Sequence, residues 1–268
     1  MKKLILPILI ISFITYGIYN FYKEDKINYV ALGDSLAIGE NPYKEIGYGY
    51  ADNIKEYLQS RDKLKSYTKE YAKSGDKTED LIEKIKNNKK VTINNEKIGI
   101  KRALREADLV TLSIGANDFM ESLDIKSMID LKNIDNSDMY KELEQCTQSV
   151  EKAIVEVKKY AKKNIILVGY YNPVNKELYN STQIDSFISY CDTLFTEICA
   201  KQQITYIKIA DLFQNHADYL PNPFNIHPNY KGYQAISTRI IEYLEKNNKK
   251  LALEQKSWYN NFAFNYYG

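Results

Sequence analysis

From residue 28 onward the chain alternates short apolar runs with longer stretches in which apolar residues recur every three or four positions. The runs YVAL (29–32), LVTLSI (109–114), IILVGY (165–170) and ITYIKI (204–209) are rich in β-branched residues and of strand length. Their unbroken apolar character predicts strands buried on both faces, as in a parallel sheet. A more hydrophilic run, SYTKEYA (66–72), is a weaker strand that falls second in the chain.

Between the strands lie helical patterns. In YKELEQCTQSVEKAIVEVKKYAKK, Tyr140, Leu143, Thr147, Val150, Ile154, Val157 and Ala161 share one face, and lysines and glutamates cover the other. In DKTEDLIEKIKNN, Leu81, Ile82 and Ile85 follow an Asp76…Glu79 pair that resembles a capping box. NYKGYQAISTRIIEYLEK puts Tyr233, Ile236, Ile240 and Leu244 on one stripe. Strand–helix alternation of this kind implies right-handed βαβ units and a three-layer α/β/α sandwich. No repeat or low-complexity linker interrupts it, so residues 27–268 read as a single domain. The segment 116–137, ANDFMESLDIKSMIDLKNIDNS, reads equally as a short helical cap over a cleft or as an ordinary connection. The aromatic, uncharged tail SWYNNFAFNYYG reads as packing back on the domain.

The pattern differs at the start. After Met1, Lys2 and Lys3, Leu4 to Tyr22 runs for 19 residues without a charge, about the length of a bilayer-spanning helix. Positive charge precedes it, whereas Lys23, Glu24, Asp25 and Lys26 cancel after it, which orients the bulk of the chain outside the cell. Residues 1–26 are therefore expected to be a single-pass anchor in the cell membrane. A signal peptide cleaved to release a secreted protein is the rival, but no A-x-A-like site follows the apolar run. No cysteine lies near it for lipoprotein processing.

Composition narrows the partners. The chain has 268 residues and a net charge of +2, so no basic stripe argues for nucleic acid. Its length suffices for a core without disulfide or metal staples. Cys146 and Cys191 read as small apolar residues of helices, and with Cys199 they form no CxxC spacing. Two histidines exist, His216 and His227, without HExxH or clustered cysteines, so no zinc site is expected. P-loop, GxGxxG and GxSxG motifs are absent, which argues against a P-loop, a dinucleotide site and the α/β-hydrolase class.

In a parallel sheet the C-terminal strand ends face the ligand crevice. Gly33-Asp34-Ser35 follows the first strand, Ser74-Gly75 the second and Gly115-Ala116-Asn117-Asp118 the third, while His227 precedes the last helix. Taken singly, each has a bland reading: Ser35 and Ser74 as helix caps, Asn117 as an Asx-turn, His227 as a surface turn. Together they are what acyl transfer requires. Ser35 needs a base to take its proton, and His227 is the candidate. The backbone N–H of Gly75 and the side-chain amide of Asn117 are candidate oxyanion donors.

GDSL (33–36), the glycine after AKS, GAND (115–118) and IHPN (226–229) resemble, in order and rough spacing, the blocks of the GDSL or SGNH hydrolase superfamily. The chain is most similar in type to the membrane-anchored or secreted lipase/acylhydrolases of low-GC Gram-positive bacteria. The resemblance implies a flavodoxin-like α/β/α domain and a serine ester hydrolase, whether esterase, lipase or acylhydrolase, that needs no cofactor. It implies Ser35 as nucleophile, His227 as base, and the Ser35 N–H, Gly75 and Asn117 as the oxyanion hole. The substrate would be a small-molecule or lipid acyl ester. The family usually places an aspartate three residues before the histidine; here that position is Phe224, and Asn225 stands one residue closer. His227 is then expected to be oriented by Asn225, by a backbone carbonyl, or by a carboxylate from elsewhere, with Asp211 and Asp218 in the same loop. The alternative is a catalytically weak or silent module of this fold that binds an envelope component or a protein partner.

Overall fold

A computed structural model of the chain describes residues 26–126, 136–174 and 182–247. The apolar segment Leu4–Tyr22, part of 116–137 and the aromatic tail lie outside the described residues. Among those described, no helix is long and apolar enough to cross a membrane. Lys26–Ser237 forms one compact unit; of a second unit, residues 238–247 are described.

The main sheet has five strands, β1 (Ile27–Gly33), β2 (Leu64–Thr68), β5 (Leu109–Ser113), β6 (Asn164–Val168) and β7 (Thr205–Ile207). They lie in the order β2-β1-β5-β6-β7, and every neighbouring pair is parallel. This is the doubly wound order whose reversal point lies between the first strand and its inner neighbour. The helices are α1 (Ser35–Ile38), α2 (Tyr50–Ser60), α3 (Thr78–Lys86), α4 (Ile100–Glu106), α5 (Ala116–Ser122), α6 (Asn136–Lys158), α7 (Thr182–Lys201), α8 (Ala210–Phe213) and α9 (Tyr230–Asn247).

Alternation along β1 distributes the core over two faces. Val30 and Leu32 join the large cluster with Leu81, Ile85, Leu104, Val150, Ile154 and Phe195 from α3, α4, α6 and α7. Tyr29 faces the opposite way, where its hydroxyl and that of Tyr50 in α2 meet Thr111 Oγ1 at 2.9 and 3.4 Å. Burying three hydroxyls is tolerable because each finds a partner there. The predicted apolar face of α6 is buried from Leu143 through Val157, as are Tyr233, Ile236, Ile240 and Leu244 of α9.

Two local expectations change, and one element is added. The second strand is Leu64–Thr68 rather than 66–72, because Lys69 leaves the sheet to pair with Asp52 at 2.7 Å and to bond the Ile38 carbonyl at 2.8 Å. Asp76 does not cap α3: its carboxylate pairs with Lys84, and Asp80 accepts the Lys77 N–H at 2.8 Å instead. An antiparallel hairpin, β3 (Lys90–Ile93) and β4 (Glu96–Gly99), also lies between α3 and α4. Its turn residues Asn94 and Asn95 have φ of 49° and 67°, the left-handed pair that a two-residue hairpin turn demands.

Candidate active site

The first strand ends at Gly33, whose φ of +124° carries the chain sharply towards β5. A side chain there would land on the Ser113 carbonyl oxygen, so only glycine permits this approach. Asp34 then locks the turn. Its N–H donates to the Ser113 carbonyl at 2.9 Å, and its Oδ1 accepts the Ser113 hydroxyl at 3.0 Å and the Leu36 N–H at 3.1 Å. Burial pushes the Asp34 carboxyl up to about 7, against these hydrogen bonds. Ser35 follows as the first residue of α1, at the C-terminal edge of the sheet.

His227 reaches Ser35 from the loop before α9. That loop is pinned by the Tyr171 hydroxyl on the Ile226 carbonyl (2.6 Å) and by the Asn222 amide on the Pro42 carbonyl (2.8 Å). Nε2 of His227 lies 2.7 Å from Ser35 Oγ. On the other side, Asn225 Oδ1 accepts the His227 backbone N–H at 2.8 Å and lies 2.7 Å from Nδ1. A backbone N–H can only donate, so the atom it meets is the amide oxygen, and Nδ1 must carry its proton to satisfy it. Nε2 is thereby left as the acceptor for the Ser35 hydroxyl, the arrangement a general base requires. Burial holds His227 below its ordinary value, with Glu40 acting against the shift and Lys44 adding to it.

Asn117 opens α5, one residue beyond the first helical position, after Gly115 turns the chain with φ +113°. Its Nδ2 donates to the Asp76 carbonyl at 2.9 Å, which uses one of two amide hydrogens. The same turn is tied to the first strand by the Lys73 N–H on the Gly33 carbonyl (3.1 Å). Gly75 sits between these two tethers with φ +81° and open space where a side chain would be. Among the described residues, neither the Ser35 nor the Gly75 N–H meets a backbone carbonyl. The four predicted positions therefore converge on one edge of the sheet.

A cavity of about 130 Å³ begins at Ser35, Asn117 and His227 and continues between α5, α6 and α7. Its inner wall is apolar, including Phe119, Met120, Leu143, Phe187, Ile188 and Cys191. The start of segment 116–137 thus walls this cleft; residues 127–135 lie outside the described residues. Cys146, Cys191 and Cys199 are free and buried, and burial raises all three thiols.

Sequence reasoning missed Glu40. Its Oε1 lies 3.6 Å from His227 Nδ1, and its other oxygen accepts the Ser74 hydroxyl. The loop acids expected for that role are placed elsewhere. Asp218 is half-exposed beside His216 and Lys231, at 3.8 and 3.6 Å, Asp211 lies in the first turn of α8, and the charges acting on His227 are those of Glu40 and Lys44. Phe224 points its ring to solvent, 68% exposed. No local signal marks Glu40, because its partner is 187 positions away in sequence by residue number.

A sequence model of the GDSL-like lipase/acylhydrolase family matches residues 31–235, a span that takes in Ser35, Gly75, Asn117 and His227. The chain belongs to this family. It is 26% identical over 227 residues to the uncharacterised protein YpmR of Bacillus subtilis (strain 168), covering 83% of each chain. The fold is similar to that of the lipase Lip_vut3 from a goat rumen metagenome, with a TM-score of 0.62, 21% identity and coverage of 79% of this chain and 94% of that one. It is also similar to Axe2, an acetylxylan esterase from Geobacillus stearothermophilus, with a TM-score of 0.56, 16% identity and coverage of 84% and 94%. Family membership supports a carboxylic ester hydrolase, and the two solved structures share its fold.

Proposed function

We propose that this GDSL family member hydrolyses carboxylic esters of apolar acyl groups, with Ser35 as nucleophile and His227 as base. The observation that carries the reading is the 2.7 Å contact between Ser35 Oγ and His227 Nε2 at the mouth of an apolar cavity. Ser35 Oγ attacks the ester carbonyl carbon while its proton passes to His227 Nε2. The N–H groups of Ser35 and Gly75 and the free amide hydrogen of Asn117 receive the negative oxygen of the tetrahedral intermediate. Its collapse breaks the bond to the alcohol oxygen, which leaves with the proton from His227. Water then attacks the acyl-enzyme, His227 takes its proton, and the second collapse returns that proton to Ser35 and releases the carboxylic acid.

The acyl group would lie in the cavity, whose walls offer apolar contact and few hydrogen-bond partners. Tyr43, Ile46 and Phe224 are exposed on the two loops joined by the Asn222–Pro42 bond, which favours a lipid-like ester at the mouth. The uncharged stretch Leu4–Tyr22 supports a place at the outer face of the cell membrane. Fractionation of cells and N-terminal sequencing of the product test that location: a soluble product cleaved after this stretch would replace the anchor with a signal peptide.

The neutral Asn225 beside the histidine favours a second reading, a silent module that binds an acyl-bearing envelope component. A fluorophosphonate probe separates the two. Labelling of the wild type that is lost in Ser35→Ala supports the hydrolase; a folded wild type that takes no label refutes it.

A further inference from the structure

We infer that Glu40 is the positioning residue that supplies the negative charge which the imidazolium of His227 lacks at position 224. The inference rests on the Ser35–His227 reading above. When Ser35 gives up its proton, His227 becomes a cation inside the protein, and its nearest acceptor, the Asn225 amide oxygen, carries no charge. Among the described residues Glu40 is the one carboxylate within 4.0 Å of that ring, at 3.6 Å from Nδ1. Glu40 is 6% exposed and His227 8%, so bulk water screens this pair little.

The carboxylate is also held in place. The Glu40 N–H donates to the Ser35 carbonyl at 2.9 Å, directly after Gly39 closes α1 in the left-handed conformation. The Glu40 carbonyl accepts the Tyr233 hydroxyl at 2.6 Å, and the carboxylate accepts the Ser74 hydroxyl. One acid is thus anchored to the nucleophile's own helix, to α9 and to the residue preceding Gly75. Two groups then share the task that a single aspartate performs in other triads: Asn225 sets the tautomer, and Glu40 provides the charge. The charged groups acting on His227 are Glu40, which favours the cation, and Lys44, which opposes it.

The experiment compares wild type, Glu40→Gln, Asn225→Asp and the double variant on p-nitrophenyl esters, with thermal melting as the check on folding. Loss of the orienting carboxylate in a serine protease costs about 10⁴ in turnover through the wrong tautomer. Because Asn225 retains the tautomer, Glu40→Gln is expected to lower kcat by roughly 10² and to leave KM within about threefold. The acid limb of kcat/KM should move to lower pH, since the charge that favours the imidazolium is gone. Asn225→Asp should restore most of the lost kcat in the Glu40→Gln background, a rescue that a merely structural role for Glu40 does not predict. Should Glu40→Gln fail to fold, Glu40→Asp, which withdraws the charge by one methylene, is expected to show a smaller loss of the same kind. Unchanged kcat and an unchanged acid limb in Glu40→Gln, or no rescue in a folded double variant, would overturn the inference. A wild type that takes no fluorophosphonate label would instead remove the Ser35–His227 reading on which it rests.

Discussion

The cavity between α5, α6 and α7 makes acyl-chain length the most direct readout of the proposed reaction. An apolar cavity of about 150 Å³ admits a benzene molecule, so about 130 Å³ offers room for roughly six carbons. Each methylene moved from water into such a site contributes about 0.8 kcal/mol, or about fourfold in kcat/KM. From acetate to hexanoate the gain is about 3 kcal/mol, roughly 200-fold, after which the rise should stop once the cavity is full. Cys191 lines the cavity and is 3% exposed, so Cys191→Leu puts about two more carbon-sized atoms into it. Butyrate turnover should then hold while hexanoate loses roughly 15-fold, moving the optimum down by about two carbons. A series of p-nitrophenyl esters from acetate to decanoate measures this directly. Acetate hydrolysed as fast as hexanoate by the wild type, or a series untouched by Cys191→Leu, would show that the acyl group lies elsewhere.

Other parts of the site make separate predictions. Asn117→Ala removes the proposed oxyanion donor and should lower kcat by about 10²–10³, with circular dichroism and the melting temperature nearly unchanged. Gly33→Ala forces a side chain against the Ser113 carbonyl at φ +124° and should cost at least about 2 kcal/mol, a fall in melting temperature of roughly 5 °C or more. Between about 4 and about 7 the folded chain holds a proton on Asp34 that the unfolded chain has released, so stability should decline as pH rises through that window. Asp34→Asn keeps an oxygen for Ser113 and Leu36 and should flatten that decline; an unchanged slope in urea titrations across pH would show that Asp34 is not its source.

Much of the frame was legible from the chain alone, because buried parallel strands and one-sided helices leave local signatures. The unbroken runs at 29–32, 109–114 and 165–170 became the three central strands, and the predicted stripe of α6 is buried as expected. Turn chemistry marked the candidate positions for the same reason: a serine, a glycine and an asparagine each follow a strand, and a doubly wound sheet brings those ends together. Where charged side chains compete, the local signal misled. By spacing Lys69 reads as strand and Asp76 as cap, but ion pairs with Asp52 and Lys84 engage their side chains instead. The hairpin at Lys90–Gly99 carried a readable Asn-Asn turn signal that apolar periodicity did not register.

Only the tertiary structure decided what stands behind the histidine. The sequence showed a phenylalanine where an aspartate was expected and offered Asp211 and Asp218 as neighbours in the chain. Packing instead brings Glu40, five residues beyond Ser35, to 3.6 Å from the imidazole of His227. Ser35, Gly75 and Asn117 are set by turns, which a few adjacent residues encode. The charge beside His227 depends on how α1 and the loop before α9 meet, and an electrostatic contact of that kind has no period, spacing or motif in the sequence.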